Sequence, residues 1–89
     1  MTSRKVEVKN NIGLHASPAA FFINEACSFR STIWVEKGDR KANAKSLMSV
    51  LSLCARQGET LLLTADGEDE VAALDALEDL LLHRLQALA

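Results

Sequence analysis

One histidine stands directly before a segment with the pattern of a helix, in the run GLHASPAA at residues 13–20. The pattern places His15 at the N-cap of that helix or next to it. The free N–H groups of the first turn then point near the imidazole, and they favour an anion over a cation. A neutral ring is a nucleophile, and the same donors would receive a phosphoryl group placed on it. His15 is therefore a candidate phosphoryl acceptor. On the residues alone, the alternative that this histidine only caps the helix or packs against a loop stays open.

A second candidate site is the segment AKSLMSVLSL at residues 44–53. Ser46 has the position of an ordinary N-cap residue. The alternative is a regulatory phosphorylation site, with Lys45 beside it to accommodate the phosphate. An apolar patch of Leu47, Met48 and Leu51 would adjoin that phosphate, and exposed apolar patches often mark docking sites.

Other site chemistries are disfavoured by the spacing of the residues. Lys45-Ser46 lacks the glycine-rich run of a phosphate-binding loop, and the acidic residues 68–70 lack the spacing of a calcium loop. Cys27 and Cys54 have no C-x-x-C spacing and lie in apolar segments, so we expect two reduced thiols in the core. We expect neither a cofactor nor a metal ion.

Composition and charge narrow the class of protein. The apolar fraction is 48% and the charged fraction is 25% over 89 residues, as in a compact globular protein with one core. No apolar run approaches the ~18 residues of a membrane span, and the start lacks the pattern of a signal peptide. We therefore expect a cytoplasmic protein without membrane insertion.

The charge is distributed unevenly along the chain. Residues 1–58 hold nine Lys/Arg against four Asp/Glu, whereas residues 59–89 hold one against eight. Two regions of opposite charge suit docking onto a charged protein partner. The net charge of −2 and the few aromatic residues disfavour nucleic-acid binding.

The elements that must position these residues follow from hydrophobic periodicity and turn signals. Alternation predicts a strand at 4–9 with Val6 and Val8 inward. A hairpin joins strands at 32–35 and 40–44 through Gly38-Asp39, and an apolar, central strand is predicted at 59–66. Helices are predicted from 16 to about 28, from Ser46 until Gly58 stops it, and from the acidic residues 68–70 nearly to the end.

Apolar stripes mark the buried sides of these helices. His83 is expected to be a structural residue within the third helix. The stripe of the first helix comprises Ala19, Ala20, Ile23, Ala26 and Cys27. The stripe of the third helix comprises Val71, Leu74, Leu77, Leu81, Leu85 and Leu88.

The resulting order is β-α-β-β-α-β-α, typical of an α+β domain whose sheet has one face covered by helices. We expect residues 1–89 to form one domain. The pattern alone does not set the order of the strands within the sheet.

With both motifs taken together, the sequence resembles the HPr family, the histidine phosphocarrier proteins of the bacterial phosphotransferase system. The resemblance spans essentially the whole chain, including GLHASPAA, KSLMSVLSL and ARQGETLLLTADGEDE. The last part looks especially like nitrogen-branch carriers and HPr-like regulators. The resemblance implies an open-faced β-sandwich, in which three helices cover one face of a four-stranded antiparallel sheet.

The resemblance also implies a function as a phosphoryl carrier rather than a stand-alone enzyme. His15 would accept a phosphoryl group on Nδ1 from enzyme I and pass it to an EIIA-type protein. Ser46 matches the regulatory serine, a target of HPr kinase/phosphorylase in many bacteria. Leu47, Met48 and Leu51 match the docking patch. The protein is expected to act as a monomer.

Ser17 is where this chain departs from the family pattern. The family has His-x-Arg-Pro, and this chain has His-Ala-Ser-Pro at residues 15–18. The family's arginine donates charge-assisted hydrogen bonds to phosphate, worth ~1.5–3 kcal/mol, and Ser17 offers only a hydroxyl. Losing them would cost roughly ten- to a hundredfold in phosphorylation. The alternative to a working carrier is therefore a binding regulator with weakened phosphotransfer.

Overall fold

The structure is a computed structural model, which describes residues 1–11 and 13–85. No helix within these ranges is long and apolar enough to cross a membrane. The elements follow the predicted order. They are β1 Thr2–Glu7, α1 Ala16–Cys27, β2 Thr32–Lys37, β3 Arg40–Asn43, α2 Leu47–Ser52, β4 Thr60–Asp66 and α3 Glu70–Leu82.

The sheet has the strand order β1-β4-β2-β3, and all its neighbours are antiparallel. The most apolar strand, β4, lies between β1 and β2, as its composition predicted. Val6 lies opposite Leu61, and Val35 lies opposite Leu63, so one face of the sheet is a continuous apolar surface. The three helices cover this face, which confirms the predicted α+β architecture.

The hairpin between β2 and β3 forms where Gly38-Asp39 predicted it. Lys37 lies opposite Arg40 across the turn, and Gly38 has a φ of +60°. Glycine adopts this left-handed conformation without steric cost, which explains why the turn forms there.

The first helix is rotated relative to the predicted stripe. Ala19 and Ala26 are buried as predicted, but Ala20 and Cys27 are exposed. Phe22 is fully buried instead, in the core. A large aromatic side chain gains more from burial than an alanine, and it therefore sets which side of α1 faces the sheet.

The second and third helices end earlier than predicted. Leu53 is the C-cap of α2, and Cys54 follows with a φ of +52°, so Gly58 is not the residue that stops this helix. His83 is the exposed C-cap of α3 rather than a residue within the helix. At the end of α2, the left-handed residue Cys54 ends the helix although it is not glycine.

The start and the buried face of α3 also differ from the prediction. Only Glu70 of the acidic run lies in the first turn. Val71 is 53% exposed, while Ala73 and Leu80 join the core beside the predicted residues. Leu88 of the predicted stripe lies outside the described residues.

Both cysteines are free thiols, as predicted, but neither is in the core. Cys27 and Cys54 are exposed. Cys27 is the last residue of α1, with its thiol 4.0 Å from the carbonyl oxygen of Lys45, and Cys54 lies in the turn after α2. The apolar neighbours that suggested burial belong to the opposite sides of these segments.

Candidate functional site

His15 is the N-cap of α1, as the sequence predicted. Its backbone is extended, with φ −129° and ψ 156°, and its side chain makes no capping hydrogen bond. The residue is half-buried. The imidazole is therefore positioned at the helix start without being used to close it, which argues against a purely capping role.

The residue after the histidine has an unusual backbone. Ala16 has a φ of +50°, a left-handed conformation that costs an L-residue roughly 1–2 kcal/mol. Ser17 is exposed, and Pro18 is buried within the first turn of α1. Non-glycine residues in such conformations concentrate at functional sites, because the surrounding structure must hold them there.

The loop before His15 is fixed to the turn that follows α2. The N–H of Leu14 donates to the carbonyl of Ala55 at 3.0 Å, and both residues are fully buried. Asn10, itself buried, donates from Nδ2 to the carbonyl of Gly13 at 2.8 Å. Gly13 has a φ of +73°, and a Cβ there would lie 2.9 Å from the Cα of Arg56. The site is therefore built where residues 13–15 meet residues 55–56.

The turn after Arg56 is held by Glu59. Its carboxylate accepts the N–H of Arg56 at 2.8 Å, and the ammonium of Lys37 lies 3.4 Å away. The hydrogen bond from Arg56, followed by the charge of Lys37, lowers the pKa of Glu59 from its ordinary value. The carboxylate thus stays ionised and keeps this turn in place beside His15.

Ser46 is the N-cap of α2, as predicted. Its Oγ accepts a long hydrogen bond of 3.4 Å from the N–H of Ser49, and the residue is partly exposed. Lys45 does not point freely into solvent: its ammonium donates to the carbonyl of Phe29 at 2.7 Å. A phosphate on Ser46 would have to compete for that ammonium.

The helix α2 divides its apolar residues between two sides. Val50 is buried, whereas Leu47 is 43% exposed, Met48 is 76% exposed and Leu51 is partly exposed. The predicted patch therefore exists on the surface. Phe21 on α1, which the helical spacing of apolar residues did not indicate, is 49% exposed because its neighbour Phe22 occupies the core.

No group of three or more metal-ligating side chains occurs in residues 1–11 and 13–85. The chemistry that the site offers is that of a lone histidine at the start of a helix. A ring nitrogen could take a phosphoryl group, and the first-turn N–H groups could receive its oxygens.

Comparison with known proteins decides the family. Residues 2–82 match the family model PTS-HPr, described as the PTS HPr component phosphorylation site. The chain belongs to the HPr family. It is an HPr-family phosphocarrier of the phosphotransferase system, and the resemblance found in its motifs is confirmed.

Individual HPr relatives match over most of their length. The HPr-like protein Crh of Halalkalibacterium halodurans is 47% identical over 86% of this chain and 92% of that protein. The phosphocarrier protein HPr of Neisseria meningitidis is 40% identical over 91% of each chain. A crystal structure of HPr from Thermoanaerobacter tengcongensis has a TM-score of 0.89 at 49% identity and covers 91% of each chain.

Proposed function

We propose that His15 is the residue on which this HPr-family protein carries its phosphoryl group. The supporting observation is a half-buried histidine at the N-cap of α1 whose side chain makes no capping hydrogen bond. A nitrogen of its neutral ring, Nδ1 by the family resemblance, attacks phosphorus of the phosphohistidine of enzyme I. A new N–P bond forms as the donor's N–P bond breaks, and the reverse chemistry delivers the group to a histidine of an EIIA-type protein.

The same proposal assigns docking to the exposed apolar side of α2. Leu47, Met48 and Leu51 contribute this surface, and burial of such side chains against a partner stabilises the complex. Ser46 is proposed as a regulatory phosphorylation site for an HPr kinase/phosphorylase. A phosphate there would place about −1.5 to −2 charges beside the apolar surface and would weaken docking onto an acidic or apolar partner.

A complete relay tests the proposed function. The protein is incubated with enzyme I, phosphoenolpyruvate and an EIIA-type acceptor, and label is followed from the carrier to the acceptor. We expect acceptor labelling that depends on the carrier and disappears with His15→Ala. Met48→Ala serves as a docking variant that leaves His15 intact, and it should lower the rate of both transfers. Acceptor labelling that is unaffected by His15→Ala would overturn the assignment.

The second candidate function is a binding regulator with weakened phosphotransfer. The observation that favours it is Ser17, which is exposed and carries no charge where the family has arginine. Ser17→Arg separates the two functions. Roughly a ten- to hundredfold gain in phosphorylation rate supports a weakened site, because one or two charge-assisted hydrogen bonds are restored. No gain supports a carrier that already works.

We further propose that residues 1–89 act as one carrier domain, as a monomer in the cytoplasm. The molar mass measured by light scattering tests the oligomeric state. A dimer at micromolar concentration would contradict the proposed monomer. Cell fractionation tests the location, and recovery of the chain with the membranes or outside the cell would contradict it.

A further inference from the structure

The arginine that the His-Ala-Ser-Pro motif lacks has a counterpart elsewhere in the fold. Gly13 packs so closely on the turn after α2 that a Cβ there would lie 2.9 Å from the Cα of Arg56. Two residues span at most about 7 Å of chain, so the Cα of His15 lies within about 7 Å of that of Gly13. An extended arginine side chain at position 56 spans a gap of this size.

The guanidinium of Arg56 makes no hydrogen bond or ion pair within the part of the chain that the structure describes, and the residue is exposed. By contrast, Arg4 pairs with Asp75 and Glu78, and Arg84 pairs with Glu25 and Asp79. Arg40 donates to the carbonyl of Ser52.

The nearest acidic group in sequence already has other partners. Glu59 accepts the N–H of Arg56 and lies against the ammonium of Lys37, while the charge of the Arg56 guanidinium contributes least to lowering its pKa. The guanidinium is therefore free to meet an anion arriving at His15.

We propose that Arg56 contacts the phosphoryl group on His15 and supplies the positive charge that Ser17 does not. This rests on the proposed role of His15 as the phosphoryl carrier. A guanidinium can donate two parallel hydrogen bonds to phosphate oxygens, and it keeps its charge at every physiological pH. Because Arg56 is exposed, we expect its removal to slow phosphorylation of His15 only about 1.5- to 5-fold, less than removal of a fully desolvated clamp would.

The test compares Arg56→Gln, Arg56→Lys and the wild type. Arg30→Gln is the matched control, since Arg30 is also exposed and its guanidinium also has no partner among the described residues. It lies beyond the opposite end of α1, whose 12 residues span about 18 Å. His15 is phosphorylated in two ways, by enzyme I with phosphoenolpyruvate and chemically with phosphoramidate, and 31P NMR follows the titration of the phosphoryl group.

The pH midpoint at which the phosphoryl group on His15 titrates, followed by 31P NMR, decides the proposal. Loss of a neighbouring cation disfavours the dianionic form of this phosphoryl group. Arg56→Gln should therefore move the midpoint to higher pH by roughly 0.2–0.7 units. Arg56→Lys should retain most of the wild-type value, and Arg30→Gln should match it. An unchanged midpoint in Arg56→Gln overturns the proposal, even if phosphorylation slows, because Arg56 would then act on docking alone.

The two routes of phosphorylation separate this proposal from the proposed function. If enzyme I does not phosphorylate the wild type but the chemically phosphorylated protein shows the Arg56-dependent midpoint, the carrier function fails and the contact stands. If enzyme I works and the midpoint is independent of Arg56, the function stands and the contact fails. A His15 that accepts phosphate by neither route contradicts both.

Discussion

Gly13→Ala tests directly whether the contact between the loop before His15 and the turn after α2 holds the site together. The new Cβ would overlap the carbonyl oxygen of Ala55 and would lie 2.9 Å from the Cα of Arg56. Both are backbone atoms, so no flexible side chain can move aside. Either the loop or the turn must shift, and the hydrogen bond from Leu14 to Ala55 lies at the same contact.

Gly38→Ala is the matched control for the loss in free energy of unfolding that Gly13→Ala causes. Gly38 has a φ of +60°, close to the +73° of Gly13, but nothing lies within 4 Å of a Cβ there. The left-handed backbone costs either alanine roughly 1–2 kcal/mol. The clash at Gly13 adds roughly 1–3 kcal/mol of overpacking. Gly13→Ala should therefore lower the free energy of unfolding by at least ~1 kcal/mol more than Gly38→Ala, or ~4–8 °C in Tm.

Denaturant unfolding of the two variants and the wild type measures this difference. The variants should share one m-value, so that the midpoint alone reports stability. Phosphorylation of His15 should also slow in Gly13→Ala and not in Gly38→Ala. Equal destabilisation by the two substitutions would refute the close contact between residues 13 and 55–56.

Three further predictions concern single groups in the fold. Cys54→Gly should raise the free energy of unfolding by about 0.5–1 kcal/mol, because glycine relieves the left-handed backbone at φ +52°; calorimetry checks this. Ser46→Ala should lower the free energy of unfolding, measured in urea, by only ~0.5 kcal/mol, because the capping hydrogen bond from the N–H of Ser49 is long. Asp69 and Glu70 have pKa values lowered to about 2, the first chiefly by the Ser31 hydroxyl and the second chiefly by the Thr2 hydroxyl. Their stabilisation is present above about pH 4.5 and is lost as pH falls towards 2, which unfolding midpoints against pH should show.

Each of these predictions has a contradicting outcome. If Cys54→Ala stabilises as much as Cys54→Gly, the thiol rather than the backbone is responsible. A loss near 2 kcal/mol in Ser46→Ala would mean a stronger cap than the structure shows. Ser31→Ala should flatten the acid dependence, because it removes the largest cause of the lowered pKa of Asp69. A profile unchanged by Ser31→Ala would contradict the assignment.

Features that depend on neighbouring residues in sequence were predicted well. Ser46 and His15 were placed at helix starts, since capping is decided within one turn of the helix. Gly38-Asp39 predicted the hairpin, and the apolar run at 59–66 predicted the central strand. The element order predicted a sheet with one face covered by helices, and the family resemblance added that its four strands are antiparallel.

Features that depend on distant residues were missed. Phe22 is buried and Phe21 exposed because the sheet admits only one of two adjacent aromatic side chains, and alanine spacing could not show which. Cys54 ends α2 in a conformation that sequence statistics assign to glycine. The contact of Arg56 with the loop of His15 joins residues about 40 positions apart, and no local pattern signals it.

The central claim is that His15 carries the phosphoryl group, and locating the phosphate tests it most directly. The wild type and His15→Ala are incubated with enzyme I and phosphoenolpyruvate, and the phosphorylated residue is identified by 31P NMR and mass spectrometry at alkaline pH. We predict an acid-labile phosphohistidine at position 15 in the wild type and no phosphate in the variant. Phosphate that persists in His15→Ala, or a wild type that accepts none, would contradict the account.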